Sequence, residues 1–263
     1  MFQKSWYMAG RGLIGLYVRN LLHADISQTF SMPAGPKIIA VNHPSTGDPA
    51  FVTTLLNEQA SILILDAVFR IPVFGRSLRM AGHVPVIPGK GKEALAEAVR
   101  LLKSGRTVII FPEGVISTPG GFNTFHSGVA RLALATGVPV VPVGISLDSN
   151  RIRLMGHKIE QHDDPMAWYL HGPYAMTVGR AISFEGCETD FDRVQQVTEI
   201  IKRNIIGLSR AGKNRLAGAQ LATQRQVKGR SNIISRTGSW AARSIGLRVI
   251  QMAMFLFMSF SKH

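Results

Sequence analysis

The 263-residue chain has one cysteine, Cys187, which excludes an internal disulfide and a cysteine-built zinc cluster and makes a reducing compartment the simple expectation. None of its eight histidines stands in His-Glu-x-x-His spacing, so a zinc hydrolase of that type is excluded. A Gly-x-Ser-x-Gly nucleophile elbow is also missing, which weighs against a serine esterase. Charged residues are sparse, 17% against 46% hydrophobic, and this balance argues against general disorder in a chain long enough for one sizeable core. No internal repeat and no Pro-rich or Ser-rich linker divides the first two hundred residues, so one domain is the economical reading. No metal and no redox cofactor is called for.

Acidic residues are missing where they would matter most. From Lys202 to His263 there are twelve Lys or Arg and no Asp or Glu, while residues 1–201 are nearly balanced, so the net charge of +14 belongs to the tail. Such a block attracts phosphates, on nucleic acid or on anionic lipid. The run "AARSIGLRVIQMAMFLFMSF" at 241–260 favours lipid: its polar residues gather mainly on one side, and its uncharged stretch, 249–261, is short of the roughly 18 residues needed to span. The N-terminal "FQKSWYMAGRGLIGLYVRNLL" sets Trp6, Tyr7, Leu13, Ile14, Leu16 and Val18 among Lys4, Arg11 and Arg19. Spaced basic residues interrupt every apolar run there, which predicts an amphipathic surface helix rather than a signal peptide. The expectation is a peripheral or monotopic membrane protein on the cytoplasmic face, attracted to anionic lipids, with no nucleic-acid partner.

Between the ends, element types alternate. The patterning predicts a strand at 37–42, a helix at 49–58, a strand at 61–66, a helix at 91–104 stopped by Gly105, a strand at 107–112, a helix at about 125–136 and a buried strand in "GVPVVPVGIS". This is an α/β pattern: one domain with a mostly parallel sheet flanked by helices. The segmentation is 1–23, an amphipathic membrane-surface segment; 24–208, the catalytic domain; and 209–263, a tail. In the tail, glycines at 212, 218, 229 and 238 among basic residues predict a loosely ordered connector over 209–238 before a final amphipathic helix.

One glycine pattern carries no chemistry. "GRGLIG" (Gly10, Gly12, Gly15) has dinucleotide-fingerprint spacing but lacks a preceding strand and lies inside the predicted first helix. Three other stretches agree with one another: "NHPSTGD" at 42–48, "FPEGVIS" at 111–117 and "FHSGVARLALATGVPVVPVGI" at 125–145. In the first, His43 leaves the end of a buried strand, where ligands bind in sheets covered by helices. Asp48, followed by Pro49, is placed as the N-cap of the next helix. In the second, a buried strand delivers Glu113 and Gly114 into a loop.

Together these blocks resemble the glycerolipid acyltransferases related to 1-acylglycerol-3-phosphate acyltransferase, whose signature includes Asn-His-x-x-x-x-Asp, Phe-Pro-Glu-Gly and a later Val-Pro-Val. The likeness covers about 35–147, including "FRIPVFGRSLRMAGHVPV" at 69–86. It implies transfer of a fatty acyl group from acyl-CoA or acyl-carrier protein to a lysolipid hydroxyl. His43 would be the general base, Asp48 its orienting carboxylate, and Asn42, Glu113 and Gly114 the substrate-binding residues. Backbone amides at the start of the 49–58 helix are the expected oxyanion donors. Val115, Ile116, Ile87, Pro88 and Leu65 stand where relatives carry charged residues expected at the acceptor phosphate. Arg76, Arg79, Lys90, Lys92 and Arg131 are therefore the candidate anion contacts, and a phosphate-free acceptor stays open. Two rival readings are a thioesterase-like or lipase-like hydrolase, and a non-catalytic basic protein that binds a membrane or RNA.

Overall fold

The computed structural model describes residues 2–117, 120–155 and 166–230. In chain order the strands are β1 (Asp25–Gln28), β2 (Ile38–Val41), β3 (Ala60–Leu65), β4 (Val84–Val86), β5 (Thr107–Ile110), β6 (Val140–Leu147), β7 (Arg153–Met155), β8 (Met166–Trp168) and β9 (Tyr174–Val178). The helices are α1 (Phe2–Asn20), α2 (Asp48–Val52), α3 (Asp66–Phe69), α4 (Phe74–Ala81), α5 (Gly91–Lys103), α6 (Gly128–Thr136) and α7 (Phe191–Arg230). Seven strands form one sheet in the order β1-β9-β6-β2-β5-β3-β4, and β7 and β8 form a separate hairpin.

From β6 to β4 all neighbours are parallel, while β9 runs antiparallel to β6 and parallel to β1. This is the single, mostly parallel α/β domain expected. Strand β2, "IIAV", shows why such strands read as continuous apolar runs: every residue is buried because both faces are covered. Ile38 and Ala40 point into a core shared with α5, α6 and the first part of α7; Ile39 and Val41 point into a second core with α1, α2, Tyr169 and Tyr174.

Helix α7 presents Val194, Val197, Ile201 and Ile205 to the first core, a three- and four-residue spacing that makes one stripe. Gly144 of β6 lets that helix approach closely: a Cβ there would lie 2.1 Å from Ser209 N. Arg215 then reaches Asp25 at 2.8 Å, tying the helix to β1.

Three expectations are corrected. The helix at 49–58 ends at Val52, with one 3₁₀ turn over Thr53–Leu55. The Thr53 and Thr54 hydroxyls donate back to the Ala50 and Phe51 carbonyls, competition that stops the helix early. The helix at about 125–136 begins only at Gly128. Over 209–230 the expected loose connector is instead the continuation of α7, because Arg, Lys, Ala, Leu and Gln are strong helix formers and outweigh the scattered glycines. The remainder of that connector and the final amphipathic helix lie outside the described residues.

Helix α1 lies where an amphipathic helix was expected. It buries Tyr7 and Val18, while Leu13 is 71% and Leu16 59% exposed. Among the described residues no helix is long and apolar enough to cross a membrane.

Candidate active site

The site is assembled at the C-terminal ends of the adjacent parallel strands β2 and β5. Asn42, just past β2, is buried, and its side-chain amide brackets Ile145 of β6, donating to the carbonyl at 3.0 Å and accepting from the N–H at 2.7 Å. The amide expected to touch substrate is thus engaged in fixing where β2 ends.

The next residue, His43, is held through its backbone. Its N–H donates to Glu113 Oε1 at 3.0 Å, and its carbonyl accepts the Ser117 N–H at 2.8 Å. Its ring packs against Phe111 at 4.4 Å between centroids and keeps 15% side-chain exposure. Nδ1 lies 3.2 Å from Asp48 Oδ2. An ionised carboxylate only accepts, so this contact puts the proton on Nδ1 and the lone pair on Nε2. Nε2 has no hydrogen-bond partner among the described residues.

Asp48 is fully buried, and burying a carboxylate is tolerable only where donors replace its water. Oδ2 takes the Ser45 N–H at 2.6 Å besides His43; Oδ1 takes the Ser45 hydroxyl at 2.6 Å and the Tyr174 hydroxyl at 2.8 Å. The capping expectation is corrected. Gly47 is the N-cap of α2, without a side-chain cap, and Asp48 turns its carboxylate away from the helix toward His43 and Ser45. At this helix start the N–H groups of Ser45, Thr46, Asp48, Ala50 and Phe51 already have partners, and among the described residues the Gly47 N–H has none.

Glu113 is 1% exposed. Besides His43 N–H, it accepts from the Ser117 hydroxyl at 2.8 and 2.9 Å and from Asn123 N–H at 2.6 Å. It braces the loop after β5 against the loop after β2. Gly114 follows at φ +70°, a left-handed backbone that glycine adopts without strain, while a Cβ there would make only an ordinary contact with the His126 ring at 3.4 Å.

The five candidate cations are dispersed. Arg131 donates to the Glu188 carbonyl at 2.7 Å. Arg79 lies over the Phe69 ring, one turn before Gly82. Lys90 faces Glu93 at 3.8 Å; Lys92 and Arg76 are exposed on α5 and α4. Lys90 and Lys92 follow β4, the edge strand, which β5 and β3 separate from β2. Reasoning from sequence missed Ser45, Ser117, Asn123 and Tyr174. Ser45 and Ser117 lie inside the quoted motifs, but nothing local marks Tyr174.

A lone-pair nitrogen beside a buried carboxylate, at the open end of a parallel sheet, can remove a proton from a hydroxyl or a water. Comparison narrows the chemistry. Residues 23–146 match the acyltransferase family model. Over 124 residues the chain is 32% identical to a chloroplastic 1-acyl-sn-glycerol-3-phosphate acyltransferase of Brassica napus, covering 45% of this chain and 36% of that protein. It is 30% identical over 124 residues to the 1-acyl-sn-glycerol-3-phosphate acyltransferase of Escherichia coli K12, covering 46% and 51%. The matches thus span about half or less of these relatives' length. The crystal structure of the 1-acyl-sn-glycerophosphate acyltransferase from Thermotoga maritima shares the fold, with a TM-score of 0.57 over 80% of this chain and 78% of that one at 19% identity.

Proposed function

Residues 23–146 form a domain of the acyltransferase family related to 1-acylglycerol-3-phosphate acyltransferase, and on that premise we propose that the protein transfers a fatty acyl group from a thioester donor to a lysolipid hydroxyl. The carrying observation is His43 Nδ1 at 3.2 Å from buried Asp48, which leaves Nε2 as the base. The acceptor is 1-acylglycerol 3-phosphate, and the donor is acyl-CoA or acyl-carrier protein.

The acceptor oxygen attacks the thioester carbonyl carbon while His43 Nε2 takes its proton. The carbonyl electron pair moves onto oxygen, then returns as the C–S bond breaks, and the imidazolium gives its proton to the departing thiolate. Asp48 holds the ring and balances the positive charge that appears on it. A thioester is already activated, so no enzyme nucleophile is required. Glu113 and Asn42 act by fixing the strand end that carries His43.

Both acceptor and product reside in a bilayer, and the exposed apolar face of α1 suits a protein seated on its surface. A second reading, a phosphate-free acceptor, is favoured by apolar Val115 and Ile87, both exposed where a phosphate-binding residue is expected.

The test is thiol release from a long-chain acyl-CoA by the purified protein in detergent, with lysophosphatidic acid present or absent, for wild type and His43→Ala. Release that requires the lysolipid and disappears in the variant is expected. Activity only with a phosphate-free lipid moves the acceptor to the second reading, and thiol release that ignores every acceptor overturns transfer in favour of hydrolysis.

A further inference from the structure

We infer that Tyr174 of β9, outside the segment that matches the family, is a positioning residue for the His43–Asp48 pair, fixing the carboxylate that fixes the imidazole. The kinetic consequence rests on the proposed transfer; the positional one does not.

Among the described residues four hydrogen bonds reach the Asp48 carboxylate. Three come from the same 43–48 loop: Ser45 N–H, Ser45 hydroxyl and His43 Nδ1. The fourth comes from Tyr174, 126 positions away, at 2.8 Å from Oδ1. Of these four it is the one that reaches the carboxylate directly from a strand of the sheet, while His43 is braced through its own backbone by Glu113 and Ser117.

Tyr174 is itself tightly placed. It pairs with Leu147 in the β6–β9 ladder, and β6 is the strand to which Asn42 is fastened. Its fully buried ring meets Phe51 edge-on at 5.6 Å and Tyr169 at 5.9 Å. The loop that carries the pair is therefore gripped at its start through Asn42 and at Asp48 through Tyr174. Packing alone does not require the hydroxyl, since phenylalanine fills the same apolar space. Burial first, then the Asp48 charge, pushes the Tyr174 phenol well above its usual range, so it remains a donor wherever the enzyme works.

The test is Tyr174→Phe, which keeps the ring. The first readout needs no substrate: the proton NMR resonance of His43 Nδ1–H at one fixed pH, assigned by its absence in His43→Ala. In the wild type that proton faces a carboxylate held in place, at 3.2 Å between Nδ1 and Oδ2. Without the Tyr174 hydroxyl on Oδ1 the carboxylate is free to turn about its own bond, and the Nδ1–H resonance should move upfield or be lost to exchange with solvent.

In the transfer assay kcat should fall about tenfold, with the acceptor KM changed less than about twofold. Phe51→Leu loosens the same packing without touching the hydroxyl and should leave the His43 Nδ1–H resonance in place.

An Nδ1–H resonance unchanged in Tyr174→Phe, or disturbed equally by Phe51→Leu, would overturn the inference. A wild type that transfers no acyl group would defeat the proposed function, while the resonance would still decide the role of Tyr174.

Discussion

Glu113→Gln separates two roles that the sequence alone runs together, a ligand for the acceptor hydroxyl and a brace for His43. The carboxylate accepts from two backbone N–H groups, His43 on Oε1 and Asn123 on Oε2, and from the Ser117 hydroxyl, which reaches both oxygens. Glutamine has a single acceptor oxygen. Its amino group must face one of the two N–H groups, and that donor is left unpaired in a buried site. An unsatisfied buried donor costs about 1–3 kcal/mol, and exchanging charge-assisted bonds for neutral ones adds about 1 kcal/mol. A total of about 3 kcal/mol lowers the melting temperature by about 6–12 °C in a domain of this size. Because one of the two ends is the backbone of His43, kcat should fall while the lysolipid KM hardly moves. Differential scanning calorimetry and steady-state kinetics with varied acceptor measure both quantities. A variant that melts like wild type, with raised KM and unchanged kcat, would refute the brace and restore the acceptor contact.

Three further outcomes are expected. Burial, with Arg106 second, pushes His83 down from 6.5 to about 4, so between those values the unfolded chain binds a proton that the folded chain refuses. Stability should thus fall as pH drops through that window, by about 2 kcal/mol once the partly exposed edge of the ring is allowed for; urea titrations of His83→Gln should show a flatter pH dependence, and an identical slope would remove His83 as the cause. Gly144→Ala drives a Cβ into backbone at Leu208 and Ser209, and should cost about 3 kcal/mol or more in urea melts. Gly207→Ala in the same helix meets nothing within 4 Å and should stabilise by about 1 kcal/mol; equal effects would show that α7 does not press on β6 as described. Replacing exposed Leu13 and Leu16 by Asp should weaken co-sedimentation with anionic vesicles about tenfold or more, and undiminished binding would remove α1 from the proposed membrane surface.

What the sequence made legible follows local pattern. The strand "KIIAVN", the helix after Gly91 and the "RTVIIFP" strand each carry their period in a few adjacent residues, and the structure places them within a residue or two. Strand β1, "DISQ", has no apolar run, being exposed at every second position on a sheet edge, and it was not read. Helix α7 beyond residue 209 was misread because glycine texture outweighed the helix formers around it. At the site, His43, Asp48 and Glu113 were recognisable as residue types at fixed spacing. Their hydrogen-bond partners were not: Glu113 was assigned to substrate because nothing in "FPEGVIS" reveals that Asn123 and His43 would take its oxygens. Tyr174 was invisible for a stronger reason. Its relation to Asp48 exists only through the β6–β9 ladder, a pairing that no short window encodes.

The placement of β9 bears on the order in which the molecule becomes competent. A nascent chain that has emerged as far as residue 146 already holds His43, Asp48, Glu113 and the whole segment matched by the family. It does not yet hold the strand that closes over Asp48. Until β9 pairs with β6, the buried carboxylate lacks its sheet-anchored donor and the second core lacks Tyr174, Met176 and Val178. If Tyr174 acts as inferred, synthesis itself delays the chemistry: the base is translated early, and its geometry arrives more than a hundred residues later.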